Sequence, residues 1–374
     1  MEKTYSGKHY ETGESIRVHT NKGLIKSIES TDEDLDNFIA PGLIDIQVNG
    51  YAGIGFTHPE LSIDKIREVA IKMQKIGVTT FLPTLITAPE KILLANLRTI
   101  REACIDPFIA SFIPGIHLEG PFISPLDGYR GAHNLKWVLP PDLETFKRLQ
   151  DAAGGRIIQL TLAPEREGAM DLIHYCQSKG TIVGLAHHNA NAKQIHTAVE
   201  TGARLAVHLG NGIANTMSRH ENPIWPQLAN NNLMISMIAD GFHLTRDEMI
   251  TFYKAKGRER VILTSDCTDL AGLTPGPYLW DGKEVILEAE GVIRYPEQNV
   301  LAGAASPLIR DLGIMKKCIG CTWSEVINMA TLNPAGLLGL HNRGEIKAGN
   351  KADLILFQIA DDKIKLLQTI KKAG

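Results

Sequence analysis

The sequence predicts an α/β fold, a (β/α)8 TIM-type barrel with a small β-sandwich domain built from both chain ends. Three observations lead there. The chain has 374 residues, enough for one barrel of roughly 250–300 residues plus a minor domain. Short apolar runs recur along its middle, each followed by a longer stretch of helical periodicity. The two ends break that rhythm and read as β-hairpins.

In chain order, Glu14 to Glu29 alternates loosely about Asn21-Lys22-Gly23, a hairpin turn. The apolar runs are Phe38 to Val48, Thr79 to Ile86, Phe112 to Leu118, Arg156 to Ala163, Thr181 to Ala186, Arg204 to Val207, Leu233 to Ala239 and Arg260 to Ser265. They are rich in Ile, Val and Leu and mostly continuous, the pattern of parallel strands buried on both faces. The first and fourth can be divided in more than one way. Ser62 to Ile76 shows the helical pattern between runs, with Ile63, Ile66, Val69, Ala70 and Met73 on one face and Gly77 as its stop. A β-like piece, Tyr278 to Val300, interrupts the chain after the eighth run, with turns at Asp281-Gly282 and Glu290-Gly291. Beyond Gly344, Glu345 to Leu356 reads as short strands about a Gly turn. The expected division is 1–39 and 344–374 for the sandwich and 40–343 for the barrel, with the β insertion near 278–300.

Composition is that of a globular enzyme, 44% hydrophobic and 22% charged. A net charge of -3 argues against a nucleic-acid partner, which needs a clustered basic surface. Met1 to Tyr10 is polar and lacks the apolar core of a secretory signal. No apolar stretch approaches the about 20 residues a membrane helix needs. A cytoplasmic protein with no membrane partner is expected. Five cysteines, an odd number, suit reduced thiols. Cys318 and Cys321 form a C-x-x-C with no second copy, read as two buried thiols near the start of a late barrel helix.

Barrel enzymes build their sites at the C-terminal ends of the strands. Six of the eight runs here end in chemistry-bearing residues: Gln47 and Asn49, Glu119, His187 and His188, His208 and Asn211, Asp240 and His243, and Asp266. A single histidine at a strand end is more often structural. Convergence on one rim changes this, because buried carboxylates and imidazoles are costly unless paired or bound to metal. Glu119, His187 and His208 supply one carboxylate and two imidazoles, a three-ligand set with an open position for a hydrolytic divalent ion. His188 follows His187 directly, so a strand turns it to the other face; a loose strand end leaves it as an alternative ligand. Asp266 is either a turn or N-cap residue or the general base facing the ion.

The segments Pro41-Gly42-Leu43-Ile44-Asp45, His117-Leu118-Glu119-Gly120-Pro121, Thr161-Leu162-Ala163-Pro164-Glu165, Ala239-Asp240-Gly241-Phe242-His243 and Met329-Ala330-Thr331-Leu332-Asn333-Pro334-Ala335 carry a resemblance. Read together, and over nearly the whole chain, they resemble the N-acetylglucosamine-6-phosphate deacetylase family of the amidohydrolase superfamily. The resemblance implies one divalent metal ion per subunit on Glu119, His187 and His208, zinc first, with iron, manganese, cobalt or nickel as alternatives. It implies Asp266 as base and then acid in removing acetate from an amino-sugar phosphate. It implies substrate contacts from Ala132, His133, Asn211, Gly212, Arg219, His243 and a Leu301-Ala302-Gly303 turn, and a homodimer.

Three departures stand out. Gln47 and Asn49 replace the His-x-His that binds a second metal in many superfamily members; some deacetylases of this family share that change. His187-His188-Asn189-Ala190 stands where the family often has His-Ser-Asn-Ala. His208-Leu209-Gly210-Asn211-Gly212-Ile213 stands where it often has His-Leu-aromatic-Asn-Ala-Met. The last segment is expected to touch sugar and phosphate. Rival readings therefore keep the metal and change the substrate, to N-acetylgalactosamine 6-phosphate or an unphosphorylated N-acyl sugar. A third reading is a catalytically inactive barrel with a regulatory role.

Overall fold

The computed structural model describes residues 2–280, 282–296 and 300–372, with only the backbone described at Val300 and Ala302. Asp281, half of one expected turn, lies outside the described residues. Eight parallel strands lie side by side in chain order: Leu43–Val48, Val78–Ile86, Ile116–Glu119, Ile157–Leu162, Ile182–Leu185, Ala203–Ala206, Met234–Met237 and Val261–Leu263. The seam between last and first is closed at two levels. At the C-terminal rim Val48 bridges Cys267, and Asn49 N donates to Cys267 O at 2.9 Å. Lower down, Ile44 N donates to Ala330 O and Leu263 N to Met329 O, so residues 329–330 bridge the gap.

Alternate residues fill the barrel, as the period of two in a strand requires. Ile44, Ile46, Leu82, Leu205, Val207 and Ile262 form one apolar cluster. Above it runs a polar layer. The His117 ring lies between Thr84 Oγ1 (3.2 Å) and Thr161 Oγ1 (2.7 Å), and Val48 N donates to Thr84 Oγ1. That layer is the floor of the site. The outer helices bury their apolar faces against the strands. Ser62 caps Ile63–Lys75 by accepting from Lys65 N, and Ile66, Val69, Ala70 and Met73 point inward, whereas Ile63 is exposed.

The first apolar run divides at Gly42. Phe38–Pro41 leaves the barrel and joins a six-stranded sheet with Glu2–His9, Ser15–Asn21, Leu24–Ser30, Leu354–Ala360 and Lys363–Ile370. The sheet curls until its edge returns: Leu24 bridges Lys351, and Ile25 N donates to Asn350 O at 2.8 Å. Ile16, Val18, Ile25, Ile39, Leu354 and Ile370 fill the space enclosed. The expected strand at Glu345 is absent; residues 345–350 form a loop and turn, and the terminal hairpin turns instead at Asp361-Asp362. The insertion is a four-stranded antiparallel sheet, Gly276–Trp280, Lys283–Leu287, Val292–Tyr295 and Val300–Ala304. Its last strand bridges Cys267 through Ala304, which fixes it to the barrel rim. Cys318 lies near the end of the helix Leu308–Ile319, not the start of one, and both it and Cys321 are free and only partly buried.

Candidate active site and metal centre

The rim residues reach the barrel axis by a shared backbone device. His187 (φ 51°), His208 (φ 33°) and Asp266 (φ 49°) all adopt left-handed backbone just past a strand, a conformation that costs a non-glycine residue about 1–2 kcal/mol. The other described non-glycine residues of this kind, Lys22, Ala52, Asp361 and Asp362, sit in hairpin turns. The turn ends strand alternation and separates His187 from His188. The latter is buried, and its Nδ1 accepts from Ala190 N at 3.2 Å. Burial lowers the His188 pKa to about 4, so the ring stays neutral.

Glu119 is the centre of the cluster. Its Oε1 lies 2.8 Å from His208 Nε2 and 3.4 Å from His187 Nε2, while Gln47 Nε2 donates to Oε2 at 3.0 Å. Burial pushes the Glu119 carboxyl up, but the two imidazoles set against it, His187 and His208, outweigh that and hold it well below the usual range. His187 Nδ1 lies 3.1 Å from the carbonyl of Tyr129. A carbonyl only accepts, so Nδ1 carries a hydrogen, and in its neutral form the ring turns an Nε2 lone pair toward a carboxylate oxygen. Two such lone pairs repel unless a proton or a cation lies between them. A carbonyl fixing the far nitrogen is also the usual partner of a metal-ligating histidine. The donor set therefore fits a divalent ion.

His133, expected only as a substrate contact, also enters the cluster. Donor atoms of Glu119, His133 and His187 all lie within 4.8 Å of one another. The His133 ring stacks edge-on to His187 at 4.4 Å, and its Nδ1 is 2.9 Å from Thr87 Oγ1. Asp266 lies half-buried beside this group, and Asn49 Nδ2 donates to its Oδ1 at 2.7 Å. Burial first, and then the charge of Glu119, raises the Asp266 pKa to about 7. Gln47 Oε1, Asn49 Oδ1, His208 Nδ1 and Asn211 Nδ2 are buried with no partner among the described residues. Buried polar atoms are rarely left so, and their gathering at one rim marks a site completed by a ligand.

Residues 38–373 match the amidohydrolase family. The chain belongs to that family. The N-acetylglucosamine-6-phosphate deacetylase of Bacillus subtilis (strain 168) is 30% identical, over 86% of this chain and 81% of that one. The N-acetylgalactosamine-6-phosphate deacetylase of Escherichia coli O157:H7 is also 30% identical, over 89% of this chain and 88% of that one. Among solved structures, the N-acetylglucosamine-6-phosphate deacetylase of Pasteurella multocida is 25% identical and covers 100% of both chains with a TM-score of 0.88.

This amidohydrolase brings most of the expected substrate residues to the rim. A Cβ at Gly131 would lie 2.9 Å from His187 Cε1, and one at Gly212 2.5 Å from His187 Nδ1. The loops bearing Ala132 and His133 and bearing Asn211 and Gly212 thus close on the same ring. Leu301 to Gly303 is a strand and not the expected turn, and the Ala302 side chain lies outside what is described. Arg219 stands apart. It is exposed on the loop after the sixth barrel strand, and its guanidinium has no hydrogen-bond or ion-pair partner among the described residues. Sequence reasoning missed the bonds of Gln47 to Glu119 and Asn49 to Asp266, the support of His133 by Thr87, and the role of Asp240 beside His243. Only Asp240 left a signal, its fixed spacing in Asp240-Gly241-Phe242-His243.

Proposed function

We propose that this amidohydrolase removes the N-acetyl group from N-acetylglucosamine 6-phosphate, giving glucosamine 6-phosphate and acetate. The observation that carries the reading is the Glu119–His187–His208 cluster beside the half-buried Asp266. Relatives named as N-acetylhexosamine-6-phosphate deacetylases match most of the chain. Glu119, His187 and His208 would hold a single divalent ion, with zinc the first expectation from a carboxylate and two imidazoles. Such an ion, when bound, would supply Lewis acidity to the acetyl carbonyl and to the attacking water.

Asp266 takes the proton of that water. Asn49 engages Oδ1, which leaves Oδ2 as the atom for the proton. A carboxyl raised by burial to about 7 can keep that proton until the amine departs. Asp266 then delivers it to the sugar nitrogen as the C–N bond breaks. His133 or His243 steadies the substrate or the developing negative oxygen. Ala132, Asn211, Gly212, Arg219 and the strand through Leu301 and Gly303 form the sugar and phosphate contacts.

A sugar phosphate substrate places the reaction in the cytoplasm, and a homodimer is the assembly proposed. The barrel is taken as 40–343 with its insertion at 278–300, flanked by 1–39 and 344–374; Phe38–Pro41, paired with the terminal strands, straddles that join. The galactosamine epimer is the second reading, favoured by the Escherichia coli relative and by Gly210 and Gly212. Acetate release from both phosphorylated epimers and both free sugars separates the readings. Turnover of the galactosamine epimer alone would replace the first by the second.

A further inference from the structure

The turn after the seventh barrel strand holds a carboxylate–imidazole pair whose carboxylate, Asp240, the mechanism above does not use. Asp240 is buried, and it accepts three hydrogen bonds: Oδ1 from Phe242 N (2.8 Å) and His243 N (2.9 Å), Oδ2 from His243 Nδ1 (2.7 Å). Gly241, at φ 83°, makes the reversal that folds His243 back over Asp240. Burial pushes the Asp240 carboxyl up, but its bonds to His243 win and hold it below the usual range. His243 is close enough to Asp266 for its charge to act on that carboxyl. Its Nε2 has no hydrogen-bond partner among the described residues.

We propose that Asp240 is a positioning residue that accepts from His243 Nδ1 and so aims Nε2 at the substrate, where, once it also carries a proton, it donates to an anionic oxygen. A carboxylate that already accepts two backbone N–H groups can take from the ring but cannot give to it, so only one orientation of the imidazole satisfies both partners. When Nε2 also carries a proton, the carboxylate offsets the ring's charge and Nε2 donates. Asp240→Asn preserves shape and reverses this logic. With the amide oxygen held by Phe242 N and His243 N, the amide NH2 faces Nδ1 and donates to it. The ring then carries its hydrogen on Nε2 and has lost its counter-charge. The substrate arm of this inference rests on the deacetylase reading; the ring arm does not.

Two measurements separate them. In 15N-histidine-labelled protein, the His243 signals, assigned by their loss in His243→Gln, should show Nδ1 protonated and hydrogen-bonded in the native chain. Asp240→Asn should move the proton to Nε2. In kinetics, Asp240→Asn should raise KM for N-acetylglucosamine 6-phosphate about ten- to a hundredfold, as expected for a lost charge-assisted bond. The KM for N-acetylglucosamine should change little, and Asp240→Glu should recover part of the loss. A native ring whose Nδ1 carries no proton overturns the proposal even if no variant folds. Equal KM changes on both sugars overturn the substrate arm. If neither sugar is hydrolysed by the metal-loaded native chain, the deacetylase reading fails while the ring measurement still judges the pair.

Discussion

Replacing Gly212 by alanine sets a methyl group against the ring on which the metal centre depends. The added Cβ would lie 2.5 Å from His187 Nδ1 and 2.6 Å from Cε1, where ordinary contact begins near ~3.4 Å. Ring or loop must yield by roughly 0.9 Å. Nδ1 is also the atom that meets the Tyr129 carbonyl at 3.1 Å, so the shift breaks the bond that orients the ring. Loss of such an outer partner typically costs about ten- to a hundredfold in metal affinity. Gly212 also sits at φ 60°, which alone costs an alanine about 1–2 kcal/mol of stability. Gly155→Ala is the control, because Gly155 has φ 78° with nothing within 4 Å of its Cβ position. Both variants should melt earlier, and only Gly212→Ala should lose metal affinity in chelator competition. Native affinity in Gly212→Ala, or an equal loss in both, would refute the assignment of His187 as a ligand held by that loop.

Other outcomes follow from the same site and its surroundings. Asp266→Asn should fold and keep its metal while kcat falls about 10²–10⁴-fold, the usual cost of losing a general acid–base group; near-native turnover would place the base elsewhere. Arg219→Ala should weaken the phosphorylated sugar about ten- to a hundredfold more than the free sugar, measured as a KM ratio; equal effects would remove Arg219 from the phosphate site. Turnover should rise with pH through the titration of Asp266, near or below the about 7 set by burial and Glu119, since a bound cation can only lower it; a rate flat from pH 5 to 8 would contradict this. Lys256 Nζ donates to Asn230 O and Leu233 O, and burial lowers its pKa to about 8. The unfolded chain then binds the extra proton between about 8 and 10.5, so native stability should rise across that window and Lys256→Met should lack this rise in denaturant titrations.

How much the sequence disclosed depended on where each feature is encoded. The barrel was legible because seven of its strands are mostly continuous apolar runs. The first run misled because Phe38 to Val48 stays apolar while its pairing partner changes at Gly42. A Cβ at Gly42 would lie 2.2 Å from Thr79 Cγ2, so the glycine marks a crossing that hydropathy cannot see. Glu345 to Ala348 looked like a strand ahead of a Gly turn; the turn is there, with Gly349 at φ 91°, but no ladder forms before it. Glu119, His187, His208 and Asp266 were legible because polar groups at the ends of buried strands need a reason to be there. Their supports were not. The Tyr129 carbonyl is backbone and carries no sequence signal, Thr87 is one threonine among many, and the entry of His133 into the cluster depends on the path of a loop.

The account turns on hydrolysis of one amide beside one metal. The direct measurement is acetate and free amine released from N-acetylglucosamine 6-phosphate by purified protein, with the metal content of the same sample. Equal amounts of both products are expected, with about one divalent ion per chain, loss of activity on chelation and its return on adding metal back. A fully metal-loaded sample that releases no acetate from this sugar would contradict it, as would full activity in a metal-free one.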